Sequence, residues 1–108
     1  MKYKDLSLEQ KKEICNGCGG KGGWIKPPHA AFFNTSCNRH DFSYWRGCTE
    51  ENRLKADMGL YRSMITDCQS LGWFQYLRYR PWCWAYYQGV RISGKKYFYY
   101  ADEKRYLP

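Results

Sequence analysis

The sequence predicts a mainly α-helical fold, and three observations support that prediction. Apolar residues recur every three or four positions through residues 50–68, which is the spacing of one helix face. Residues 37–44 place several polar side chains one helical turn apart, and residues 7–14 begin with a helix-capping pattern. A chain of 108 residues is long enough for one modest core, so we expect a single domain spanning residues 1–108.

The N-terminal part predicts a short amphipathic helix followed by a loop. Ser7 and Gln10 form a capping-box pattern at the start of residues 8–14. The glycine-rich run of residues 15–23 then predicts a loop, because glycine adopts backbone conformations that other residues avoid. The adjacent prolines at 27–28 disfavour helix in the residues before them, so the next helix is expected to begin only after them.

The second predicted helix carries a base, a carboxylate and a phenol within residues 37–44. His40 and Tyr44 lie one turn apart and share a face. Asp41 follows His40 directly, and successive helix side chains are about 100° apart, so the two side chains serve neighbouring sites. We expect Asp41 to lean toward the glycine-rich run and help hold a hard cation, since carboxylates and backbone carbonyls suit such ions. His40 is then left as a general base.

The third predicted helix begins after Thr49, which is a suitable N-cap residue. Its core-facing stripe is predicted to contain Leu54, Asp57, Met58, Tyr61, Met64, Ile65 and Cys68. A carboxylate on an otherwise apolar stripe needs a partner. If this helix packs antiparallel to the helix of His40, Asp57 reaches a ring nitrogen of His40 and fixes its tautomer.

The last third of the chain is aromatic and basic, and it predicts two helical segments and a tail. Residues 73–80 and 82–90 show helical spacing, and Pro81 is expected to break or kink the helix between them. After a turn at Gly94, aromatic residues predict either a short strand or an extended arm. The rings of this region either pack against the earlier helices or form a lipid-facing surface. In the first case the cations of a solvated face are Arg78, Arg80 and Arg91.

These motifs together resemble the secreted-type phospholipase A2 family, and its compact bacterial and fungal members more than the venom or pancreatic enzymes. The shared pattern is a glycine-rich loop, Cys-x-x-His-Asp-x-x-Tyr at residues 37–44, and Ala-Asp at 56–57 with a tyrosine one turn later. In that family a water activated by the histidine attacks the sn-2 ester of a phospholipid, while calcium stabilises the oxyanion and binds the phosphate. The resemblance therefore implies calcium-dependent hydrolysis of glycerophospholipids.

The resemblance also implies a role for each matching residue. His40 is the base, and Asp57 orients it. Tyr44 and Tyr61 support Asp57 through its hydrogen-bond network. Asp41 supplies the carboxylate ligand of calcium, and the loop ligands are the backbone carbonyls of Cys18, Gly20 and Gly22.

Aromatic residues near the loop have two interpretations, since Trp24, Phe32 and Phe33 either line a slot for the acyl chain or belong to the core. Two positions depart from the animal members of the family. Ser36 stands where they carry a second adjacent cysteine, and Gly19 replaces a loop cysteine. The disulfide framework of those members therefore cannot be transferred to this chain.

Charge and composition indicate an anionic partner. The formal net charge is +8 and 19% of the residues are aromatic, a balance that suits anionic phospholipid headgroups or nucleic acid. With the family resemblance, we expect an anionic phospholipid membrane surface as the partner and no nucleic acid. No run approaches the about 18 apolar residues of a transmembrane span, and no signal peptide is recognisable. We therefore expect a cytoplasmic location or export by a route without a signal peptide.

The six cysteines supply an alternative function. A zinc site with suitable ligand spacing would consist of Cys15, Cys18, Cys37 and His40. The chain would then be a nucleic-acid- or protein-binding module without catalysis. A zinc-bound His40 is not free to act as a base, so the two functions exclude each other. Asp41 and Asp57 favour the lipase, because a zinc module does not need them.

The cysteines also allow arrangements that leave His40 free. A structural zinc could be held by Cys15, Cys18 and Cys37 alone. Alternatively, Cys15 or Cys18 pairs with Cys37 as a disulfide that pins the loop to the helix. The remaining cysteines, which either pair among themselves or stay as buried thiols, are Cys48, Cys68 and Cys83.

Overall fold

The computed structural model of the chain describes residues 2–15, 17–18 and 29–106. This part of the chain forms four α-helices, which are α1 (Leu8–Ile14), α2 (Asn34–Arg46), α3 (Glu50–Cys68) and α4 (Trp73–Ser93). Short 3-10 turns lie at Tyr3–Asp5 and Gly94–Lys96. No strand occurs within the described ranges, where Cys48 and Tyr100 form an isolated bridge. The prediction of a mainly α-helical fold is confirmed.

The starts of α1 and α3 follow from local capping chemistry. The Ser7 hydroxyl accepts a hydrogen bond from the Gln10 amide at 3.1 Å, and the Gln10 side chain accepts one from the Ser7 amide at 2.9 Å. Thr49 and Asn52 make the same reciprocal pair at 3.3 and 3.2 Å. Each pair satisfies backbone donors that the first helical turn leaves unpaired, so the helix starts are encoded locally.

A glycine sets the corner between α2 and α3. Gly47 has a φ of +68°, a left-handed conformation that glycine adopts without strain. A Cβ atom at this position would overlap the backbone carbonyl oxygen of Tyr99. The close approach lets the C-terminal tail lie directly against the corner, where the Cys48 amide donates to the Tyr99 carbonyl at 2.9 Å.

Helices α2 and α3 pack antiparallel, as their side-chain contacts show. Near the start of α2, the Ser36 hydroxyl lies 2.7 Å from the Ser63 hydroxyl and donates to the Asp67 carboxylate at 2.5 Å. Farther along α2, His40 meets Asp57, which lies earlier in α3. Ser36 is buried, so these polar partners on α3 satisfy its hydroxyl.

The core lies between α2, α3 and α4 and contains Phe33, Cys37, Leu60, Met64, Cys68 and Cys83. The predicted stripe of α3 was only partly correct. Leu54 and Met58 are 38% and 43% exposed, whereas Arg53 and Leu60 are buried. The buried face is shifted because α3 packs between α2 and α4, and Arg53 tolerates burial because its charge is paired with Glu50 at 2.8 Å.

Helix α4 is continuous through Pro81, so the prediction of two helical segments was wrong. Proline removes one backbone donor and leaves the carbonyl four residues earlier without its usual partner. Pro81 is exposed and Leu77 is 48% exposed, so water can bond to that carbonyl. The cost of proline is therefore small enough for the packing of α4 against α3 to outweigh it.

Helix α4 runs antiparallel to α3, and the tail then returns to α2. The Cys68 and Cys83 sulfurs lie 3.6 Å apart at one end of the helix pair, and Arg91 reaches Asp57 near the other. Beyond α4, Phe98 is buried and its ring packs edge-on against that of Tyr44, with centroids 5.1 Å apart. The tail is therefore an extended arm rather than a strand of a sheet.

None of the helices in the described ranges combines the length and the apolar character that a membrane span requires.

Candidate active site

A cavity of about 520 Å³ opens between α2, α4 and the tail. Its α2 side is formed by His40, Asp41 and Tyr44, and Gly17 and Cys18 border it at the start of the loop. The opposite wall is largely apolar and aromatic, and it includes Leu60, Trp82, Ala85, Tyr86, Val90 and Tyr97. The cavity thus brings a histidine and a carboxylate next to a surface that suits a hydrocarbon chain.

His40 and Asp57 form a buried pair at one side of this cavity. Nε2 of His40 lies 2.7 Å from Oδ1 of Asp57. His40 is 7% exposed and Asp57 is 0% exposed, so bulk water does not compete for the bond. Because an ionised carboxylate only accepts hydrogen bonds, Nε2 carries a proton, and in the neutral imidazole the lone pair is therefore on Nδ1. This tautomer leaves Nδ1 of His40 able to act as a base.

Tyr44 supports the same carboxylate. Its hydroxyl donates to Oδ1 of Asp57 at 2.6 Å, and its ring lies 4.2 Å from the His40 ring, measured between centroids. Burial and the bond to the Asp57 carboxylate raise the pKa of the Tyr44 hydroxyl. The phenol therefore remains a donor over the physiological pH range and holds the carboxylate in place.

Two arginines complete the surroundings of Asp57, and the sequence-based prediction missed both. Nη1 of Arg91 donates to Oδ2 of Asp57 at 2.7 Å, and Nη1 of Arg53 lies 3.5 Å from the same oxygen. Arg53 is one helical turn before Asp57, so its spacing was a usable signal. Arg91 lies 34 positions after Asp57 on another helix and has no local signal. The expectation that Arg91 belongs to a solvated face was wrong.

These contacts determine the ionisation of Asp57. Burial by itself would raise the pKa of the carboxyl group, but the hydrogen bonds from His40, Tyr44 and Arg91 outweigh burial and lower it. Asp57 is therefore a carboxylate at neutral pH. The fully buried charge of Asp57 is tolerated because each of its two carboxylate oxygens accepts a hydrogen bond.

Asp41 follows His40 in α2 and borders the cavity together with Gly17 and Cys18, at the start of the glycine-rich run. Cys18 at that start is joined to Cys37 of α2 by a disulfide, with the two Cα atoms 5.1 Å apart. Burial, and after it the charge of Asp41, raises the pKa of the Cys15 thiol to about 11. Of the glycine-rich run, Gly17 and Cys18 therefore share the cavity with the Asp41 carboxylate.

The residues at this position fit calcium, which is the cofactor that the family resemblance implies. Calcium prefers hard oxygen ligands, and Asp41 and Cys18 border the same cavity as His40. The other two predicted loop ligands, Gly20 and Gly22, lie outside the described residues, as does Trp24.

Both zinc alternatives were wrong. Cys18 and Cys37 form a disulfide, and a disulfide sulfur is not a thiolate ligand. Both zinc sites need Cys18 and Cys37 as ligands, so neither the site with His40 nor the site of three cysteines can form. Within the described part of the chain, no three His, Cys, Asp or Glu side chains are grouped as a metal site would need. A calcium site of one carboxylate and several backbone carbonyls does not require such a group.

Three predicted site residues lie away from this constellation. The ring of Tyr61 packs edge-on against Trp84 and Tyr87 of α4, and the hydrogen bonds to Asp57 come from His40, Tyr44 and Arg91 instead. Phe33 is 0% exposed in the core, and Phe32 packs against it with ring centroids 5.0 Å apart. Neither phenylalanine borders the cavity, so the core interpretation describes them. The apolar wall comes from α3, α4 and the tail instead.

Comparison with known proteins assigns the class. The sequence model of the prokaryotic phospholipase A2 family matches residues 5–94, which include α1 to α4. This match indicates a lipid ester hydrolase. The chain belongs to the prokaryotic phospholipase A2 family. Phospholipases A2 act on phospholipids at membranes and are generally calcium-dependent. No curated protein and no solved structure matched the chain.

Proposed function

We propose that this protein hydrolyses the sn-2 ester of glycerophospholipids in a calcium-dependent reaction, with His40 as the general base. The observation that carries the proposal is the 2.7 Å bond between His40 and Asp57, in a cavity that Asp41 also borders. Membership of the phospholipase A2 family supports the reaction class. His40 and Asp41 border the cavity, whereas Asp57 lies behind His40 and is bound to it, which supports their separate roles.

His40 would transfer a proton twice in each turnover. Nδ1 first takes a proton from a water molecule, whose oxygen attacks the ester carbonyl carbon. When the carbon–oxygen bond to the glycerol breaks, the protonated imidazole returns the proton to the leaving oxygen. The products are a free fatty acid and a lysophospholipid, and His40 is again neutral.

Asp57 would act on the imidazole rather than on the substrate. The bond to Nε2 keeps Nδ1 directed at the water, and the negative charge stabilises the imidazolium that forms after proton transfer. Tyr44 and Arg91 hold the carboxylate that provides this charge. The buried position strengthens the interaction, because little solvent screens it.

Calcium would be held by the Asp41 carboxylate together with the backbone carbonyls of Cys18, Gly20 and Gly22. When bound, the ion supplies positive charge for the substrate phosphate and for the negative charge that develops on the ester oxygen. Asp41 and His40 are adjacent in α2, so the backbone of one helix sets the distance between metal ligand and base.

The cavity wall supports a lipid substrate. Leu60, Tyr86 and Val90 offer apolar surface beside His40, and burial raises the pKa of the Tyr86 hydroxyl to about 12, so this wall stays uncharged. An acyl chain placed along it would be removed from water, which favours binding by about 0.8 kcal/mol for each buried methylene group.

The exposed face of α4 supports binding to an anionic membrane surface. Its large exposed apolar side chains are Trp73, Phe74, Leu77, Trp82, Trp84 and Ile92. Tryptophan prefers the headgroup level of a bilayer, and the nearby cations Arg78 and Arg80 attract anionic lipids. Trp82 is partly exposed and also borders the cavity, so the exposed surface of α4 reaches the proposed substrate site at this residue.

The test is fatty-acid release from vesicles of phosphatidylcholine with and without phosphatidylglycerol, each measured with calcium and with EGTA. Release that requires calcium, comes from the sn-2 position and increases with the anionic lipid would support the proposal. Absence of release under all four conditions would reject it. Release that EGTA does not affect would reject the calcium dependence alone.

A further inference from the structure

Arg91 makes a direct contact with the carboxylate that orients His40. One guanidinium nitrogen, Nη1, donates to Oδ2 of Asp57 at 2.7 Å. The other, Nη2, lies 3.3 Å from Oε1 of Glu50. The planar guanidinium thus bridges two carboxylates of α3, and it does so from α4.

The two oxygens of Asp57 have different partners. Oδ1 accepts hydrogen bonds from His40 and Tyr44, both on α2. Oδ2 accepts one from Arg91 on α4. A carboxylate held at both oxygens from opposite sides cannot rotate without losing a charge-assisted bond. The bond from Arg91 to Oδ2 therefore keeps Oδ1 directed at His40.

The second nearby cation does not occupy the same position. Nε of Arg53 donates to Glu50 at 2.9 and 3.0 Å, and Nη1 donates to the Val90 carbonyl at 3.0 Å. Its distance to Asp57, 3.5 Å, is that of an ion pair rather than a hydrogen bond. Arg53 therefore anchors Glu50 and the end of α4, whereas Arg91 binds Asp57 itself.

Glu50 in turn fixes Arg91. Its carboxylate is bound by Arg53, by Arg91 and by the hydroxyl of Tyr100 in the tail. The sequence of contacts runs from Tyr100 through Glu50 and Arg91 to Asp57. Because Nη2 of Arg91 is bound to Glu50, Nη1 is held in one position toward Asp57. The side chain therefore loses little further conformational entropy when it binds Asp57.

We propose that Arg91 is a positioning residue for the reaction, which sets the orientation of the Asp57 carboxylate and keeps it charged opposite His40. This inference rests on the proposed function. It predicts an effect on the chemical step rather than on substrate binding, because Arg91 does not border the cavity. The effect of Arg91 on kcat should depend on its positive charge and on the ability of its guanidinium to bind Asp57 and Glu50 at the same time.

The experiment compares Arg91→Gln, Arg91→Lys and the control Arg62→Gln, assayed on a short-chain phospholipid dispersed as monomers so that membrane binding does not contribute. Arg62 is an exposed arginine of α3. We expect kcat to fall about 100-fold in Arg91→Gln, with KM within about two-fold of the wild type. Arg91→Lys keeps the positive charge but not the two guanidinium nitrogens that bind Asp57 and Glu50 together, so its kcat should fall only about ten-fold. Arg62→Gln should match the wild type.

Folding and calcium binding are measured on the same preparations, by circular dichroism melting and by calcium titration. Calcium affinity should be unchanged in both Arg91 variants. A folded Arg91→Gln variant with wild-type kcat would overturn the proposal, and so would equal kcat values in the Gln and Lys variants. If Arg91→Gln does not fold, wild-type kcat in Arg91→Lys would overturn the role of the two guanidinium nitrogens, and a ten-fold loss would support it.

A separate readout distinguishes failure of this inference from failure of the proposed function. If the wild-type protein releases no fatty acid, the proposed function is rejected, and the role of Arg91 is tested by proton NMR. The proton shared by His40 and Asp57 should give a downfield signal in the wild type and in Arg91→Lys. It should be lost to exchange in Arg91→Gln, and its retention there would overturn the inference.

Discussion

Gly94 lies directly against the hydroxyl of Tyr44, so a Cβ atom on residue 94 would overlap the phenol oxygen. The same hydroxyl donates to Asp57 at 2.6 Å. The end of α4 is thereby packed onto the network that orients His40. The size of one residue at the start of the tail controls whether Tyr44 can reach the carboxylate.

We therefore expect Gly94→Ala to reduce both stability and turnover. The backbone of Gly94 has an ordinary negative φ of −73°, so alanine causes no backbone strain and the effect comes from the collision alone. Overpacking of this kind costs about 1–3 kcal/mol of unfolding free energy. Urea unfolding and kcat measure the two effects.

The matched control is Gly59→Ala, where an added Cβ meets nothing within 4 Å. Alanine in the interior of α3 should stabilise the protein by about 0.5–1 kcal/mol and leave kcat unchanged. Unaltered stability and kcat in Gly94→Ala would show that Tyr44 can move aside without loss.

His40→Gln should abolish hydrolysis and leave the fold intact. The glutamine amide can still donate to Asp57, but it has no basic nitrogen to accept the proton of water. We expect a loss of about 1,000-fold in kcat, within the range for removal of a general base. Fatty-acid release and circular dichroism are the measurements, and ester hydrolysis at the wild-type rate would remove His40 from the mechanism.

Asp41→Asn should weaken calcium binding without disturbing the His40–Asp57 pair. The substitution removes the negative charge that a divalent cation requires from its carboxylate ligand. A calcium titration of activity should show half-saturation at a much higher concentration than in the wild type. The same response to calcium and to EGTA in both proteins would exclude Asp41 from the ligands.

Stability should decrease in acid, in part through Glu50. The bond from Arg53, followed by that from Tyr100, lowers the pKa of Glu50 from 4.5 to about 2. The unfolded chain therefore binds more protons than the folded one between these values. The contribution of ionised Glu50 to the free energy of unfolding is complete above pH 4.5 and is lost as the pH falls toward about 2.

Urea unfolding of the wild type and Glu50→Gln from pH 7 downward tests this expectation. The variant should be less stable at pH 7 and should lose less stability on acidification. The lowered pKa of Asp57 acts in the same direction and remains in the variant, so some acid sensitivity should persist. Parallel pH profiles of the two proteins would contradict the role given to Glu50.

The sequence by itself determined the local parts of the protein. Capping at Ser7 and Thr49, the helical spacing of His40 and Tyr44, and the place of Asp57 on the inner face of α3 all follow from neighbours within a few positions. Such patterns depend on helix geometry, which is the same in every protein. They were sufficient to predict the helical fold and the family.

Only the tertiary structure decided which distant groups meet. It brought Arg91 to Asp57, placed Phe33 in the core rather than in the cavity, paired Cys37 with Cys18 rather than with Cys15, and carried α4 through Pro81. Each outcome depends on the packing of segments far apart in the chain, where burial and charge pairing outweigh local preference. Spacing along the chain carries no information about such contacts, so the sequence alone could not predict them.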